Sequence, residues 1–221
     1  SIFDLETRLF PCLLDMTWKG VRVDLEKAKK IEKSFVKKEK SILQEIKKDT
    51  GINVEVWSAV SVAKAFDKFN IPYERTGITK QPKFDKNFLV THKHPLAQKI
   101  VHARETNKAR ATFIDTIFRH QHNGRIHANI NQMRSESGLG GTATGRFSYN
   151  NPNLQQIPAR NKDIGPLIRS IFIADEGCRW GSFDYSQQEP RVLVHFAALT
   201  GGGLKGADEV IESYKTQDPD F

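Results

Sequence analysis

The 221-residue sequence predicts an α+β fold, in which a helical first half leads into a mixed or antiparallel sheet. Three observations carry that reading. Apolar residues recur at three- and four-residue spacing through most of the first 120 positions. From Arg125 onward, Ile126, Ala128 and Ile130 alternate with polar residues, which is the two-residue period of a strand. A stretch rich in glycine, serine and threonine, Ser135 to Gly145, then separates that strand from later apolar runs and reads as a loop.

Taken in order, Ile2, Leu5, Leu9, Leu13 and Met16 form the inward stripe of a first helix, residues 2–18, ended by Gly20. Val21 to Asp24 is a short extended connection, with Asp24 placed to cap a long amphipathic helix of about seven turns from Leu25 to Lys48. Its apolar side holds Ala28, Ile31, Phe35, Ile42, Leu43 and Ile46. Lysines and glutamates fill the other side, where a solvated face of Glu–Lys pairs competes with a DNA-binding face. Ser58 or Ser61 caps a helix running to Asn70, buried through Val62, Ala65, Phe66 and Phe69. Ile71 to Lys86, with Pro72, Gly77 and Pro82 among four basic residues, reads as an exposed loop. Pro95 to His120 is a further long helix, with Ile100, Val101, Ala111, Ile114 and Phe118 inward and Arg104, Lys108 and Arg110 outward. His122-Asn123-Gly124 makes a turn. Ile168 to Ala174 and Trp180 to Asp184 read as strands joined at Glu176-Gly177, and Arg191 to Leu199 as a short apolar helix. A helical first half thus leads into a mixed second half, with the change near residue 125.

The formal charge of +8 and the pI near 9.4 favour a polyanionic partner, against the alternative of a basic surface with no role. Cys12 and Cys178 stand far apart, which fits a reducing compartment rather than a disulfide scaffold. No apolar run reaches the roughly 18 residues needed to span a membrane, and no signal-peptide pattern opens the chain, so the expected protein is soluble and intracellular.

The chemistry concentrates in Phe183-Asp184-Tyr185-Ser186-Gln187-Gln188-Glu189-Pro190-Arg191. This places one carboxylate at the end of an apolar run and a second at the start of a helix. Alone, an Asp in such a place is ordinarily a helix cap, and Glu189 a first-turn acid complementing the helix dipole. Upstream stand Thr144-Gly145-Arg146 and Pro152-Asn153-Leu154-Gln155-Gln156-Ile157-Pro158, amide and guanidinium groups suited to holding a nucleic-acid backbone.

Together these blocks resemble the template-directed DNA polymerases of family A, and the resemblance runs nearly the whole chain. It implies a right-hand polymerase: a lead-in helix and extended segment (1–25), a mainly helical thumb (26–124) and a partial palm (125–221). It implies two Mg2+ ions in the complete enzyme, one held by the Asp184 carboxylate and the Tyr185 carbonyl. Two metals about 3.5–4 Å apart are what phosphoryl transfer to a primer hydroxyl requires. Glu189 would be the sugar gate that favours deoxyribonucleotides, and Tyr185, Ser186, Gln187 and Glu189 would line the dNTP site. Arg191 and His195 would be structural. Arg146 would reach minor-groove acceptors common to every correct base pair. Ser148, Asn153, Gln155 and Gln156 would touch the duplex beside it. Arg104, Lys108 and Arg110 on the thumb helix, with Arg75, Lys80 and Lys83 in the preceding loop, would meet phosphates. The implied partners are primer-template DNA and dNTPs, with no membrane, in a bacterial or phage-infected cytoplasm.

The chain departs from the family pattern at Gln156, where asparagine is usual, and at Gln188 and Pro190. This Gln-Glu-Pro form is closer to bacteriophage members than to cellular ones, and the loop from Met133 to Gly141 is longer than usual. Neither the fingers motif nor the second catalytic aspartate precedes Phe221, and Asp218-Pro219-Asp220-Phe221 resembles the approach to the fingers. The expectation is a thumb and first part of a palm, inactive alone, whose fingers and remaining palm come in cis or in trans. The competing readings are a non-catalytic duplex-binding module and one half of a split polymerase. Asp4 and Glu6 resemble a proofreading-exonuclease pair but begin an amphipathic helix, and no partner motifs follow. His92, His94, His120 and His122 lack complementary ligands at metal-site spacing and read as loop residues.

Overall fold

The chain divides between Cys178 and Arg179 into two units, in a computed structural model that describes residues 1–134, 140–159, 161–199 and 206–217. In the first unit, helix α1 (Ile2–Lys19) opens on a capping box. Ser1 accepts from the Asp4 amide, and the Asp4 carboxylate accepts from the Ser1 hydroxyl and the N-terminal ammonium. That ammonium, and then Ser1, hold the Asp4 carboxyl below the usual range. Asp4 is thus occupied as a cap.

The junction after α1 requires glycine. Gly20 has φ +62, and a Cβ there would lie 2.7 Å from the Ile126 carbonyl oxygen and 2.7 Å from the His127 ring. Strand β1 (Val21–Arg22) pairs with β5 (Arg125–Ile126), which pairs in turn with β4 (Gln121–His122), all antiparallel. Asn123 and Gly124, at φ 49 and 74, form the two-residue turn between β4 and β5, as the sequence predicts.

Helix α2 (Leu25–Thr50) is capped by Asp24, which accepts from the Lys27 amide at 2.8 Å, and it ends at Gly51 in the left-handed conformation. It runs antiparallel to a second rod: α5 (Pro95–Lys108), a π-helical turn (Ala109–Ile114) and α6 (Asp115–His120). Two apolar clusters follow from this pairing. Near the C-terminus of α2, Ile46 packs with Leu96, Ala97 and Ile100. Near its N-terminus, Ala28, Ile31 and Phe35 pack with Ala109, Ile114 and Ile117.

The π turn overturns one expectation. It adds a residue to the turn and advances the helix face, so Ala109 is buried and Ala111 is exposed rather than inward.

The first cluster is closed by α3 (Ala59–Asp67, capped by Ser58), α4 (Lys86–Thr91, capped by Asp85) and a hairpin of β2 (Glu74–Arg75) with β3 (Pro82–Lys83). The segment expected to be a loop therefore carries this hairpin, and the sequence reading missed α4 although Asp85 is a good cap. Phe66 is fully buried, with ring centroids of Phe84 at 4.8 Å and of Tyr73 and Phe88 at 6.3 Å.

Strand β6 (Asn129–Asn131) pairs with β7 (Ser148–Asn150) ahead of a 3-10 turn (Leu154–Gln156). Residues 168–174 are not the strand the sequence predicts. They hold the end of α7 (Gly165–Arg169) and one isolated bridge, Val23 to Phe172. Ile168 and Ile171, three apart, both point into the second cluster, and Pro166 in the first turn favours the helix; a short apolar run serves either period.

In the second unit, helix α8 (Gln188–Leu199) packs against α9 (Ala207–Thr216). The strand expected at 180–184 does not form. Strands exist only by pairing, and no partner strand stands in this unit among the described residues. Helix α9 was not foreseen, although Val210, Ile211 and Tyr214 stand at helical spacing. Residues 135–139 of the glycine-rich stretch, and the Asp218–Phe221 segment likened above to the approach to the fingers, lie outside the described residues. Among the described residues, no helix is long and apolar enough to cross a membrane.

Candidate functional site

In the second unit, the segment before α8 is irregular, and Asp184, Tyr185, Ser186 and Glu189 are all exposed. Gln187 adopts φ 49 just before the helix begins. Arg191, one turn into α8, donates from Nε to the Ser186 carbonyl at 2.9 Å, and its guanidinium lies 4.3 Å from the Tyr214 ring centroid. The Tyr214 hydroxyl donates to Gln187 Oε1 at 3.0 Å. Arg191 and Tyr214 thereby hold the backbone turn between Asp184 and α8 in shape. Tyr214 was not anticipated, because no local pattern links it to a motif 27 residues earlier. His195 corrects the expectation of a packed residue. It is exposed, with the ring of its neighbour Phe196 at 5.8 Å, because α8 buries none of its residues.

Among the described residues, no three His, Cys, Asp or Glu side chains gather as a metal-binding group. Asp184 and the Tyr185 carbonyl are hard oxygen donors in one exposed, irregular segment. A magnesium ion usually takes one or two carboxylates and fills the rest of its octahedron with water and phosphate oxygens. The donors present fit a share of such a site.

In the first unit, β7 and the turn after it gather the amide block. Arg146 is exposed beyond Gly145, its backbone carbonyl accepting from Thr142 Oγ1 at 2.7 Å. Asn131 donates to the Ser148 carbonyl at 3.3 Å, and Gln155 donates to the Phe147 carbonyl at 2.9 Å. Asn153 caps the 3-10 turn by accepting from the Gln155 amide. Asn153 and Gln156 also line a cleft of about 230 Å³ with Thr116 and His120. Arg146, Ser148, Asn153, Gln155 and Gln156 thus lie on one continuous hairpin-and-turn segment.

The basic residues of the helical body are placed differently from expectation. Arg104 does not point outward. It is half-buried, donating from Nε to the Val56 carbonyl at 2.7 Å and from a terminal nitrogen to the Phe84 carbonyl at 2.8 Å, and burial lowers its pKa. Its guanidinium also stacks on Trp57. Arg110 faces Asp115 at 3.4 Å and Glu39 at 4.0 Å, because the π turn swings it toward α2. Lys108 alone of the three is exposed. In the hairpin, Arg75 donates to the Lys80 carbonyl at 3.0 Å. Lys83 lies between Asp85 at 3.1 Å and Glu74 at 3.2 Å, which raise its pKa in that order. Lys80 is exposed in the turn.

This arrangement is that of part of a polymerase domain. The chain superposes on the polymerase domain of Pol1 from M. smegmatis, solved with DNA primer-template and dNTP, at a TM-score of 0.67 and 27% identity over 84% of this chain and 32% of that one. The family model described as DNA polymerase family A matches residues 25–201, and the chain belongs to that family. It is 37% identical over 90% of its length to a DNA-directed DNA polymerase of Pseudomonas phage M6. It is 33% identical over its full length to the DNA polymerase DpoZ of Acinetobacter phage SH-Ab 15497. DNA polymerase I of Chloroflexus aurantiacus is 30% identical over 88% of the chain. The chain spans about a third of the length of the two phage relatives, 31% and 37%.

Proposed function

We propose that this chain is the thumb (26–124) and first part of the palm (125–221) of a template-directed DNA polymerase, preceded by a lead-in helix and extended segment (1–25). It would act on primer-template DNA and dNTPs in a bacterial or phage-infected cytoplasm. The observation that carries the proposal is the Phe183–Arg191 segment, with Asp184 exposed ahead of α8 and Glu189 in its first turn, inside a chain belonging to DNA polymerase family A.

Asp184 and the Tyr185 carbonyl would hold one Mg2+, and a second ion would need a further carboxylate. When bound, the metal pair activates the primer hydroxyl and neutralises the triphosphate. Glu189 would crowd a ribose 2′-hydroxyl and so select deoxyribonucleotides, with Tyr185, Ser186 and Gln187 lining the same site. Gln187 and Arg191, tied to Tyr214, would keep the Asp184 turn in register. Arg146, Ser148, Asn153, Gln155 and Gln156 would hold the duplex near the primer end, reading acceptors that every correct pair presents. Fingers and the remaining palm would come in cis or in trans.

The 221-residue chain alone should not extend a primer, since one carboxylate cannot organise two metals. In an assembled polymerase, Asp184→Asn should lower primer extension by at least about a thousandfold, the scale of a lost electrostatic contribution to the transition state, while duplex affinity stays within about twofold. Extension surviving in that variant would remove Asp184 from the metal site.

A further inference from the structure

The long helix α2 carries a charge pattern that the site above does not use. At about 100° per residue, Lys29, Lys30, Lys33, Lys37, Lys40, Lys47 and Lys48 fall within a sector of roughly 100°, opposite Ala28, Phe35 and Ile46. All seven lysines are exposed and those three apolar residues are buried. The stripe is about 28 Å long at 1.5 Å per residue.

The sequence alone left open whether intrahelical Glu–Lys pairs neutralise this face, and the structure answers that. Glu39 accepts from Asn107 and meets Arg110, while Glu45 and Asp49 hold Lys99 at 3.2 and 2.7 Å. Three acids of α2 are therefore spent on the opposing rod. Glu26 pairs with Lys29 at 2.9 Å, and Glu32 stands half-buried at the margin of the stripe. Lys30, Lys33, Lys37, Lys40, Lys47 and Lys48 form no ion pair among the described residues.

We infer that this stripe is a second nucleic-acid contact, which takes the phosphate backbone of a duplex independently of the Arg146–Gln156 block. Its length matches about eight nucleotide steps at 3.4 Å per step along one strand. Single-strand sites pair basic residues with aromatic side chains on which bases stack, and this face offers lysines with Glu26, Ser41 and Gln44 and no aromatic residue. A stable protein interface needs an apolar centre, and Val36, half-buried at the margin, does not provide one. What remains is a linear, sequence-independent array of cations suited to phosphates.

The test measures binding of the 221-residue chain to a short blunt duplex by fluorescence anisotropy across a salt series. The triple variant Lys33→Gln, Lys37→Gln and Lys40→Gln should lower the slope of log K against log salt by about 2.7, at roughly 0.9 per phosphate contact. Lys→Arg at the same three positions should keep the full slope, which separates lost charge from lost fold. An unchanged slope in the Gln variant overturns the inference, and weaker binding by Arg146→Ala in the same assay would leave the primer-grip reading standing. Displacement by polyglutamate as effective as by competing duplex, charge for charge, would overturn the nucleic-acid assignment in favour of an acidic protein.

Discussion

Helices α1 and α2 follow one another in the chain and carry apolar residues at the same helical spacing, yet their apolar faces meet different surroundings. On α2, Ala28, Phe35 and Ile46 are at most 3% exposed, and Ile31 is 7% exposed. On α1 only Leu13 is buried, while Phe3 is 76% exposed and Leu5 64%. The cause lies in what each helix finds elsewhere in the chain. The α5–α6 rod runs antiparallel along α2 and fills its apolar side from end to end. Helix α1 is anchored at points: Thr17 donates to the Ala128 carbonyl, and Gln132 donates to Glu6. Helix α8 resembles α1, with Leu193, Phe196 and Leu199 exposed and no residue buried. An amphipathic stripe marks a face that can pack; the partner is set by residues far away in sequence. Apolar surface of this extent, uncovered by any described residue, is of the kind that marks an interaction site.

The comparison makes a sharp stability forecast. Phe66 lies at the centre of the self-covered part, so Phe66→Ala should cost about 3–5 kcal/mol by chemical denaturation, from lost transfer energy plus the cavity left among Tyr73, Phe84 and Phe88. Leu5→Ala, on the uncovered face, should stay within about 0.5 kcal/mol. Similar losses in the two variants would mean that α1 is covered in solution and would break the contrast.

The joint between the two helices gives a smaller effect. Gly20→Ala forces a Cβ into the Ile126 carbonyl and the His127 ring at positive φ, which should cost about 2 kcal/mol from left-handed strain and overlap. Because α2 is held by its own rod, hydrogen exchange should accelerate in α1, β1 and β5 and stay unchanged in α2. Uniform acceleration would show that the two helices unfold together.

What could be read from the sequence follows the same division. Asp24, Ser58 and the Asn123-Gly124 turn act through neighbours a few residues away, so their roles are visible locally. The Phe183–Arg191 block was equally plain as a motif, since its chemistry is written in consecutive residues. The π turn was not legible, because one added residue in a helical turn leaves no mark in an apolar pattern until the face has moved. Nor was the tie from Tyr214 to Gln187 and Arg191, which depends on α9 folding back on α8. The strands expected at 168–174 and 180–184 failed for a related reason. A β period needs a partner strand, and the local sequence does not say whether one is present.

Arg104 and Lys108 bring the contrast to one helix, four residues apart, where the sequence assigned both to phosphates. Arg104 donates to two backbone carbonyls, at Val56 and Phe84, of segments whose apolar side chains also pack against α5. Removing it leaves those acceptors without a charged donor and uncovers Trp57, so Arg104→Ala should cost about 1–3 kcal/mol in stability. Its guanidinium is engaged inside the fold, and the salt dependence of duplex binding should therefore stay unchanged. Lys108 is exposed, so Lys108→Ala should leave stability within about 0.5 kcal/mol and reduce the salt slope by about 0.9, one phosphate contact. Denaturation and salt titration of the two variants side by side decide the matter. A slope change in Arg104→Ala at undiminished stability would mean that the arginine leaves its carbonyls to meet DNA, and that its buried pose is one of two states.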